Sequence, residues 1–421
     1  MIIYHDINHD AYMYSKKLQQ DIEKELENLK QAGKFKVERE LDGAQGPEVE
    51  LNGKKVLMFA SNNYLGLSNH PEIVASAKEG LEKYGYGLSS VRFISGTETI
   101  HRTLEKKLAE FLGVEDSILY STNFMSNLGF FASIVNEPLG GDGKHIDAIY
   151  SDELNHASII DAFKLCKREN LQKRIYPHGD LVALEKMLEE DKDKGFRFKT
   201  IVSDGIFSME GYLADLPGIL KLAEKYDALL FVDDAHSVGV MGRTGAGTPE
   251  HFGLHGKIDI LSGTFGKALG GAVGGYVAGK KYIIDLLRQK SRTYMFSNSL
   301  PPSVTIASMK ALDLLKEKPE LLRQVKENAD YFRAGAKKLG FDVLDGEHPI
   351  VPVMLGDAKI TQEVSKKLLE KGLYVVGLWF PVVPEGKARL RFQISSAHTR
   401  EHLDRALAIL SEVGKEIGIL R

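Results

Sequence analysis

The chain has 421 residues, of which 43% are hydrophobic and 27% charged, and its formal net charge is −3. This composition is typical of an ordinary globular protein long enough for two domains, and it gives no electrostatic indication of nucleic-acid or anionic-membrane binding. The single cysteine, Cys166, excludes an internal disulfide and suits a reducing compartment. Residues 1–17 lack the apolar centre of a signal peptide, and no apolar run is long enough to span a bilayer, so a cytoplasmic location is expected.

Residues 1–60 are predicted to form a helix and a β-hairpin ahead of the main domain. The leucines and the isoleucine within residues 14–34 recur at helical spacing, which predicts an amphipathic helix. That helix either packs on a partner subunit or stays solvated on its own subunit. Two alternating segments, 48–51 and 54–59, flank the dipeptide Asn52-Gly53, which is a strong signal for a hairpin.

Strands and helices then alternate, which predicts an α/β domain over residues 61–302 with a mostly parallel, seven-stranded type of sheet. The predicted strands cover residues 117–121, 148–151, 174–176, 200–203, 228–232 and 257–261. The predicted helices between them cover residues 123–134, 156–167, 181–190 and 216–226. Residues 136–147 are interpreted as a surface insertion. Long helices with few, partly antiparallel strands predict a smaller α+β domain over residues 303–421.

Functional side chains in such sheets collect at the carboxyl ends of the strands, and the polar motifs of this chain fall there. These motifs are 122–124, His156, 204–211, 233–237 and Lys267. Lys267 lies in a loop, 262–271, whose glycines allow close backbone approach and whose hydroxyl residues can hold a phosphate. Because Ala268 follows the lysine, the loop does not match the P-loop spacing. Histidines near turns and helix ends, among them His101, His348 and His398, are expected at the surface or as caps.

One carboxylate, one histidine and one lysine in this pattern can hold pyridoxal phosphate. Lys267 would attach the cofactor, and Asp233 would keep the pyridine nitrogen protonated. An aspartate at the end of a buried strand is costly unless it is paired, which weighs against a purely structural role. A metal site made of Asp233, Asp234, His236 and His156 is the rival interpretation. It does not explain the lysine loop, so no metal is predicted.

The motifs also resemble a known family. They are SNNYLG at 61–66, NHAS at 155–158, DGIFSM at 204–209, VDDAH at 232–236, TFGKA at 264–268 and ARLR at 388–391. From about residue 31 to its end, the chain resembles the α-oxoamine synthases, which are pyridoxal-phosphate enzymes of fold type I. The resemblance implies a large cofactor-binding domain with a smaller carboxyl-terminal domain. It also implies amino-acid and acyl-CoA substrates, and a homodimer with shared active sites.

The resemblance assigns eleven residues to the cofactor. They are Asn123, Phe124, His156, Ser208, Asp233, His236, Thr264, Lys267, Ser297, Asn298 and Ser299. Of these, Lys267, His156 and Asp233 are the catalytic set: the lysine would also remove the substrate Cα proton, the histidine would stack on the pyridine ring, and the aspartate would pair with the ring nitrogen. His236 and Ser208 would contact the ring hydroxyl.

The phosphate contacts are implied in the same way. The backbone amides of Asn123 and Phe124, at the start of a helix, and the hydroxyl of Thr264 would hold the phosphate. The serine–asparagine–serine run at 297–299 would reach the phosphate of the neighbouring subunit.

The substrate contacts follow from the same resemblance. Asn62 and Arg391 would bind the substrate carboxylate, for which an arginine fork is suited, while Arg389 would be structural. Arg92 and Tyr64 are predicted on the acyl-CoA side.

Segments 90–97, 294–300, 352–358 and 380–386 are most similar to family members that join glycine to acetyl-CoA, giving 2-amino-3-oxobutanoate. Alternatives within the family act on alanine with pimeloyl-CoA or catalyse the serine palmitoyltransferase reaction. A non-catalytic, cofactor-binding scaffold is the alternative of another class, and the intact Lys267, Asp233 and His156 argue against it.

Overall fold

The computed structural model describes residues 15–136, 139 and 145–420. The helices are α1 Lys16–Gln31, α2 Pro71–Tyr84, α3 Thr99–Leu112, α4 Asn123–Phe130, α5 Ala157–Leu165, α6 Leu181–Glu190, α7 Leu216–Lys225, α8 Thr248–His251, α9 Lys281–Lys290, α10 Arg292–Met295, α11 Pro302–Glu317, α12 Glu320–Lys338, α13 Ala358–Glu370 and α14 Arg400–Glu416. Most of the predicted insertion at 136–147 lies outside the described residues.

The strands form three sheets. They are β1 Leu41–Asp42, β2 Glu48–Leu51, β3 Lys54–Met58, β4 Asp116–Tyr120, β5 Asp147–Asp152, β6 Leu171–Tyr176, β7 Lys199–Asp204, β8 Ala228–Asp233, β9 Ile260–Thr264, β10 Gly275–Gly279, β11 Asp342–Val343, β12 Ile350–Gly356, β13 Leu373–Tyr374, β14 Val376–Leu378 and β15 Ala388–Gln393. The main sheet has seven strands in the order β4-β10-β9-β8-β7-β5-β6. β10 runs antiparallel to both neighbours and the other pairs are parallel, so the predicted mostly parallel sheet is confirmed.

Two parts of the main sheet differ from the sequence prediction. β10 was not predicted, and the strand placed at 257–261 lies at 260–264. The polar and glycine residues of β9 suggest a loop, but β8 and β10 pair with it on its two sides, and Ser262 is completely buried. A Cβ at Gly263 would lie 2.2 Å from the hydroxyl oxygen of Tyr276. Glycine is needed there because the Tyr276 ring packs directly on the strand.

The smaller carboxyl-terminal sheet is antiparallel and has the order β11-β12-β15-β14. Its core includes Phe332 and Phe392, and Phe59 beyond the end of β3 packs on both rings. The amino-terminal hairpin β2–β3 forms as predicted, and β13 adds to it in parallel. The division into domains at residue 303 stays a prediction, since α11 packs along α2 and α3 of the large domain.

Three histidines expected at the surface or as caps are instead buried. The ring of His101 bonds to the backbone of Glu98 and Leu300, and His398 bonds in the same way to Ser395 and Met58. Because both ring nitrogens have backbone partners, these side chains can be buried without an orphan polar atom. His348 is buried as well and lies beside the candidate site. None of the helices in the described part of the chain combines the length and apolarity that crossing a bilayer requires.

Candidate active site

Asp233, the last residue of β8, is surrounded by amide donors. Asn123 Nδ2 donates to both of its carboxylate oxygens, at 3.2 and 3.0 Å, and Asn127 Nδ2 donates at 2.6 Å. The backbone N–H of Ala235 donates at 3.0 Å. These bonds satisfy a carboxylate that is only 4% exposed. Asp233 is thereby fixed at the carboxyl edge of the sheet, where the sequence predicted it.

Asn127 is a residue of this site that the sequence prediction missed. It lies one turn after Asn123 on α4, and its Nδ2 also donates to Ser158 Oγ at 2.8 Å. Two asparagines four residues apart share one face of a helix, and this spacing is a signal that could have found it. The side chain of Asn123 serves Asp233, while its predicted backbone contact to a phosphate stays a prediction.

The start of α4 lies against the loop that carries Lys267. Thr122 caps the helix by accepting from the N–H of Met125, and the first amides of a helix have no intrahelical acceptor. Gly275 approaches this end so closely that a Cβ on it would lie 2.3 Å from the Asn123 nitrogen. Thr264 Oγ1 donates to the carbonyl of Gly274 at 3.0 Å, and Gly274 bridges to Thr122. The predicted phosphate residues are thus brought together, and the exposed Phe124 follows at the second helical position.

Lys267 follows β9 and is partly buried. Desolvation lowers the pKa of Lys267 to about 8, Asp233 and Asp204 oppose the shift, and Arg391 adds to it. A lysine with a lowered pKa has a neutral amine available near neutral pH, as a nucleophile or base requires.

Arg391 on β15 presents an unsatisfied guanidinium to the same site. Its Nε and Nη2 are buried without a hydrogen-bond partner among the described residues. Burial lowers the pKa of Arg391, and Tyr64 and Glu210 oppose the shift. An unpaired buried guanidinium is costly, so an anionic ligand is the natural partner for it.

Arg389, two residues earlier on β15, is hydrogen-bonded and ion-paired within the protein. Its Nη1 donates to Glu210 Oε1 at 3.0 Å and to the carbonyl of Met209 at 3.2 Å, and its Nε donates to Lys387. Arg389 therefore forms a buried ion pair, and of the two arginines it is Arg391 that remains available to a ligand.

His156 caps α5 and leaves part of its ring exposed. Its Nδ1 accepts from the N–H of Ser158 at 3.2 Å, and its own backbone N–H donates to Asp204 Oδ1 at 3.4 Å. Desolvation of the ring lowers the pKa of His156, Asp233 opposes the shift and Lys267 adds to it. A neutral imidazole with an exposed face can stack on a flat heterocycle.

Asp204, which ends β7, is the register neighbour of Asp233. Burial raises the pKa of Asp204 well above its ordinary value, and the charge of Asp233 acts in the same direction. The sequence placed Asp204 at the strand end without giving it a role. The structure makes it a buried carboxyl that orients the turn carrying His156.

Tyr64 is completely buried, and its Oη lies 3.0 Å from His236 Nδ1 and 3.2 Å from Asn62 Oδ1. Burial raises the pKa of Tyr64 to about 12. Through these contacts Tyr64 connects Asn62, which is predicted to bind the substrate carboxylate, with His236, which is predicted to bind the cofactor.

Ser208 lies half-buried in the turn after β7.

Arg92 lies apart from this cluster. Its Nη2 donates to Glu105 at 3.0 Å and its Nε donates to Thr97 at 3.0 Å, in a pair that is almost completely buried. The guanidinium also lies 5.2 Å from the centre of the Tyr294 ring. These contacts stabilise the 91–97 loop, so the predicted acyl-CoA role of Arg92 stays a prediction without a supporting contact.

The predicted partner-reaching run at 297–299 contacts its own chain. Ser121 Oγ lies 3.4 Å from Ser297 Oγ and donates to the carbonyl of Asn298 at 2.7 Å, while Ser299 donates to the carbonyl of Gly96. In space, the run therefore lies next to Ser121, close to the start of α4.

The rival metal interpretation gains no geometric support. Asp234 accepts from the N–H of Thr248 at 2.9 Å and from its hydroxyl at 2.5 Å. Across residues 15–136, 139 and 145–420, no group of three or more His, Cys, Asp or Glu side chains is placed to hold a metal ion.

Comparison with known proteins shows the family to which the chain belongs. Residues 54–410 match the family described as aminotransferase class I and II. The 2-amino-3-ketobutyrate coenzyme A ligase of Escherichia coli K12 is 45% identical over 402 residues, which are 95% of this chain and 98% of that protein. The 8-amino-7-oxononanoate synthase of Thermoanaerobacter pseudethanolicus is also 45% identical, over 95% of this chain and 98% of its own. A lysine-to-alanine variant of S. paucimobilis serine palmitoyltransferase with a bound PLP–myriocin aldimine superposes with a TM-score of 0.86 at 30% identity, covering 97% of this chain and all of that one. The chain therefore belongs to the aminotransferase class I and II family, and its resemblance to the α-oxoamine synthases is confirmed.

Proposed function

We propose that the protein is a pyridoxal-phosphate-dependent C-acyltransferase that joins glycine to acetyl-CoA, giving 2-amino-3-oxobutanoate and CoA, and that it also runs the reverse reaction. The unpaired guanidinium of Arg391 beside Lys267 is the observation that carries this proposal, because it provides a carboxylate site next to a low-pKa lysine. The E. coli relative, 45% identical, bears the name of an enzyme of 2-amino-3-ketobutyrate, which is the same compound.

The residues of the site fit pyridoxal phosphate. The start of α4 offers backbone amides next to Gly275, where there is no space for a Cβ. The side-chain amides of Asn123 and Asn127 hold Asp233 at the carboxyl edge of the sheet. His156 offers an exposed ring face, and the lowered pKa of Lys267, about 8, makes its neutral amine accessible near neutral pH. When bound, the cofactor supplies a protonated pyridine ring that withdraws electrons from the amino acid Cα. We assign Lys267 to its attachment, His156 to ring stacking and Asp233 to the ring nitrogen.

The other roles follow from the chemistry of the chain's own residues. Arg391 and Asn62 bind the glycine carboxylate and so orient the Cα–H bond. Lys267, as a neutral amine, takes the proton from that carbon. In the overall reaction a C–C bond forms between the glycine Cα and the acetyl carbonyl carbon, and the thioester C–S bond breaks. The proton that leaves Cα is accounted for by the S–H of the released CoA.

A second candidate is the reaction of alanine with pimeloyl-CoA. The relative from Thermoanaerobacter, named 8-amino-7-oxononanoate synthase, is as similar as the E. coli ligase. Pocket contacts discriminate by only about 1–3 kcal/mol per methylene, so overall identity does not separate acyl chain lengths. The scaffold alternative is disfavoured because Lys267, Asp233 and His156 are intact and assembled.

We also propose a homodimer with shared sites and a cytoplasmic location. An exposed apolar patch supports the dimer: Phe93, Ile94 and Phe296 are 55%, 71% and 60% exposed, and the two phenylalanine rings contact each other. The patch adjoins the run 297–299. Exposed apolar clusters of this kind mark protein interfaces. In the dimer, the run would serve the neighbouring site.

The test is CoA release from glycine, alanine and serine, each paired with acetyl-, succinyl-, pimeloyl- and palmitoyl-CoA. We expect glycine with acetyl-CoA to have the highest kcat/KM, and Lys267→Ala to abolish release. Preference for alanine with pimeloyl-CoA would replace the proposal with the second candidate. Cofactor binding without release from any pair would favour the scaffold. A fully active monomer would contradict shared sites.

A further inference from the structure

The hydroxyl of Tyr64 joins three elements of the site. Its Oη lies 3.0 Å from His236 Nδ1, 3.2 Å from Asn62 Oδ1 and 3.4 Å from Gln393 Oε1. Asn62 lies in the segment after β3, His236 follows β8, and Gln393 ends β15. A completely buried phenol with these contacts is placed to orient its neighbours, whereas its predicted role was on the acyl-CoA side.

The phenol has a single proton for these three contacts. Both amide oxygens only accept. If the phenol donates to one of them, the contact with His236 is an imidazole N–H that donates to Tyr64 Oη. If the phenol donates to His236 instead, neither amide oxygen has a proton facing it, unless the amides of Asn62 and Gln393 are both turned to present their NH2 groups. The arrangement that leaves fewer contacts without a proton therefore has the His236 proton on Nδ1.

The surroundings of His236 keep the ring at one proton. Burial lowers the pKa of His236 well below its ordinary value, and the positive charges of Lys267 and Arg391 act in the same direction, as do His348 and His156. A neutral imidazole that is protonated on Nδ1 has its lone pair on Nε2.

His348 fixes the backbone of the same residue. Its Nδ1 accepts from the N–H of Ile350 at 3.1 Å, so its proton is on Nε2, which donates to the His236 carbonyl at 2.8 Å. The His348 ring also packs edge-on against Tyr64, with ring centres 5.2 Å apart. Both the ring and the backbone of His236 are thus held from outside the cofactor pocket.

We infer that Tyr64 is a positioning residue that fixes the Nδ1–H tautomer of His236 and thereby presents Nε2 as an acceptor to the cofactor. The inference rests on the proposed function, in which His236 contacts the ring hydroxyl of pyridoxal phosphate. An acceptor at Nε2 favours retention of the proton on that hydroxyl. Loss of the Tyr64 hydroxyl would free His236 to place its proton on either nitrogen.

The test is ¹⁵N-histidine NMR of the full chain, with and without pyridoxal phosphate, in the wild type and in Tyr64→Phe. His236→Gln assigns the signal. Tyr150→Phe is the matched control, because Tyr150 is a buried tyrosine whose hydroxyl donates to Asp191, at the end of α6, at 2.7 Å. It reports the general effect of deleting a buried hydroxyl.

We expect His236 to be protonated on Nδ1 in the wild type and in Tyr150→Phe, and to shift toward Nε2 in Tyr64→Phe. Affinity for pyridoxal phosphate should fall in Tyr64→Phe by about 2- to 12-fold, which corresponds to one neutral hydrogen bond. A wild-type proton on Nε2, a doubly protonated ring, or an unchanged tautomer in Tyr64→Phe would overturn the inference. These signals do not depend on turnover, so failure of glycine and acetyl-CoA to release CoA would refute the proposed function alone.

Discussion

Replacing Arg391 with glutamine should separate substrate binding from stability. Within the part of the chain that the structure describes, Nε and Nη2 of Arg391 have no hydrogen-bond partner. A hydrogen bond to a charged group contributes about 1.5–3 kcal/mol, so losing two to the glycine carboxylate should cost at least about 3 kcal/mol, which lowers kcat/KM by roughly 150-fold or more. Because the change also removes an unpaired buried cation, the free energy of unfolding should stay constant or rise.

Arg389→Gln is the matched control on the same strand face. It breaks the buried pair with Glu210, in which the two residues are 3% and 9% exposed, and leaves that carboxylate unpaired. Breaking a buried pair costs about 3–5 kcal/mol of stability. Steady-state kinetics over a range of glycine concentrations and urea unfolding of both variants provide the comparison. If Arg391→Gln left the glycine dependence unchanged, or destabilised the chain as much as Arg389→Gln, the assignment of Arg391 to the substrate carboxylate would be wrong.

Four further predictions concern the lysine and its surroundings. Because desolvation lowers the Lys267 pKa to about 8 from 10.5, its neutral amine forms at lower pH than in an unfolded chain. The rate at which pyridoxal phosphate attaches to the cofactor-free protein, measured by visible absorbance, should therefore rise with pH and reach half its maximum near pH 8. A midpoint near pH 10.5 would show that the lowered pKa is wrong. Between pH 8 and 10.5 the lysine of the cofactor-free protein is protonated in the unfolded state and neutral in the folded state, so it makes the free energy of unfolding rise with pH. Urea unfolding of Lys267→Met should not show this rise. Asn127→Leu removes the 2.6 Å donor to Asp233 and should weaken cofactor affinity by about 10- to 150-fold, as expected for a charged hydrogen bond, which equilibrium titration would measure. Gly275→Ala should destabilise the chain in thermal unfolding because its Cβ would meet the backbone of α4, whereas Gly87→Ala, with open space around it, should not.

The sequence predicted the site best where side chains follow strand ends. Asp233 ends β8 and Lys267 lies three residues after β9, and the carboxyl ends of these neighbouring parallel strands meet at one edge. Local order along the chain was therefore enough to group them. The shift of β9 to residues 260–264 left this grouping intact, because Lys267 still follows the strand.

Contacts between distant segments could not be predicted in this way. Tyr64 and His236 are 172 residues apart, and their hydrogen bond depends on how the segment after β3 packs on the large sheet. The buried ion pair of Arg92 with Glu105 was likewise not predictable, because no local sequence pattern marks it. Strand β10 was missed because its pairing with β4 and β9, rather than any pattern within its five residues, makes it a strand.

The most direct test of the central claim is hydrogen exchange at the glycine Cα. The protein loaded with pyridoxal phosphate is incubated with glycine in D₂O without acyl-CoA, and deuterium uptake is followed by proton NMR. We predict that one Cα hydrogen exchanges in the wild type, that exchange stops in Lys267→Ala, and that Arg391→Gln requires far more glycine for the same rate. No exchange in the loaded wild type, or equal exchange in Lys267→Ala, would contradict the assignment of Lys267 as the base acting on glycine held by Arg391.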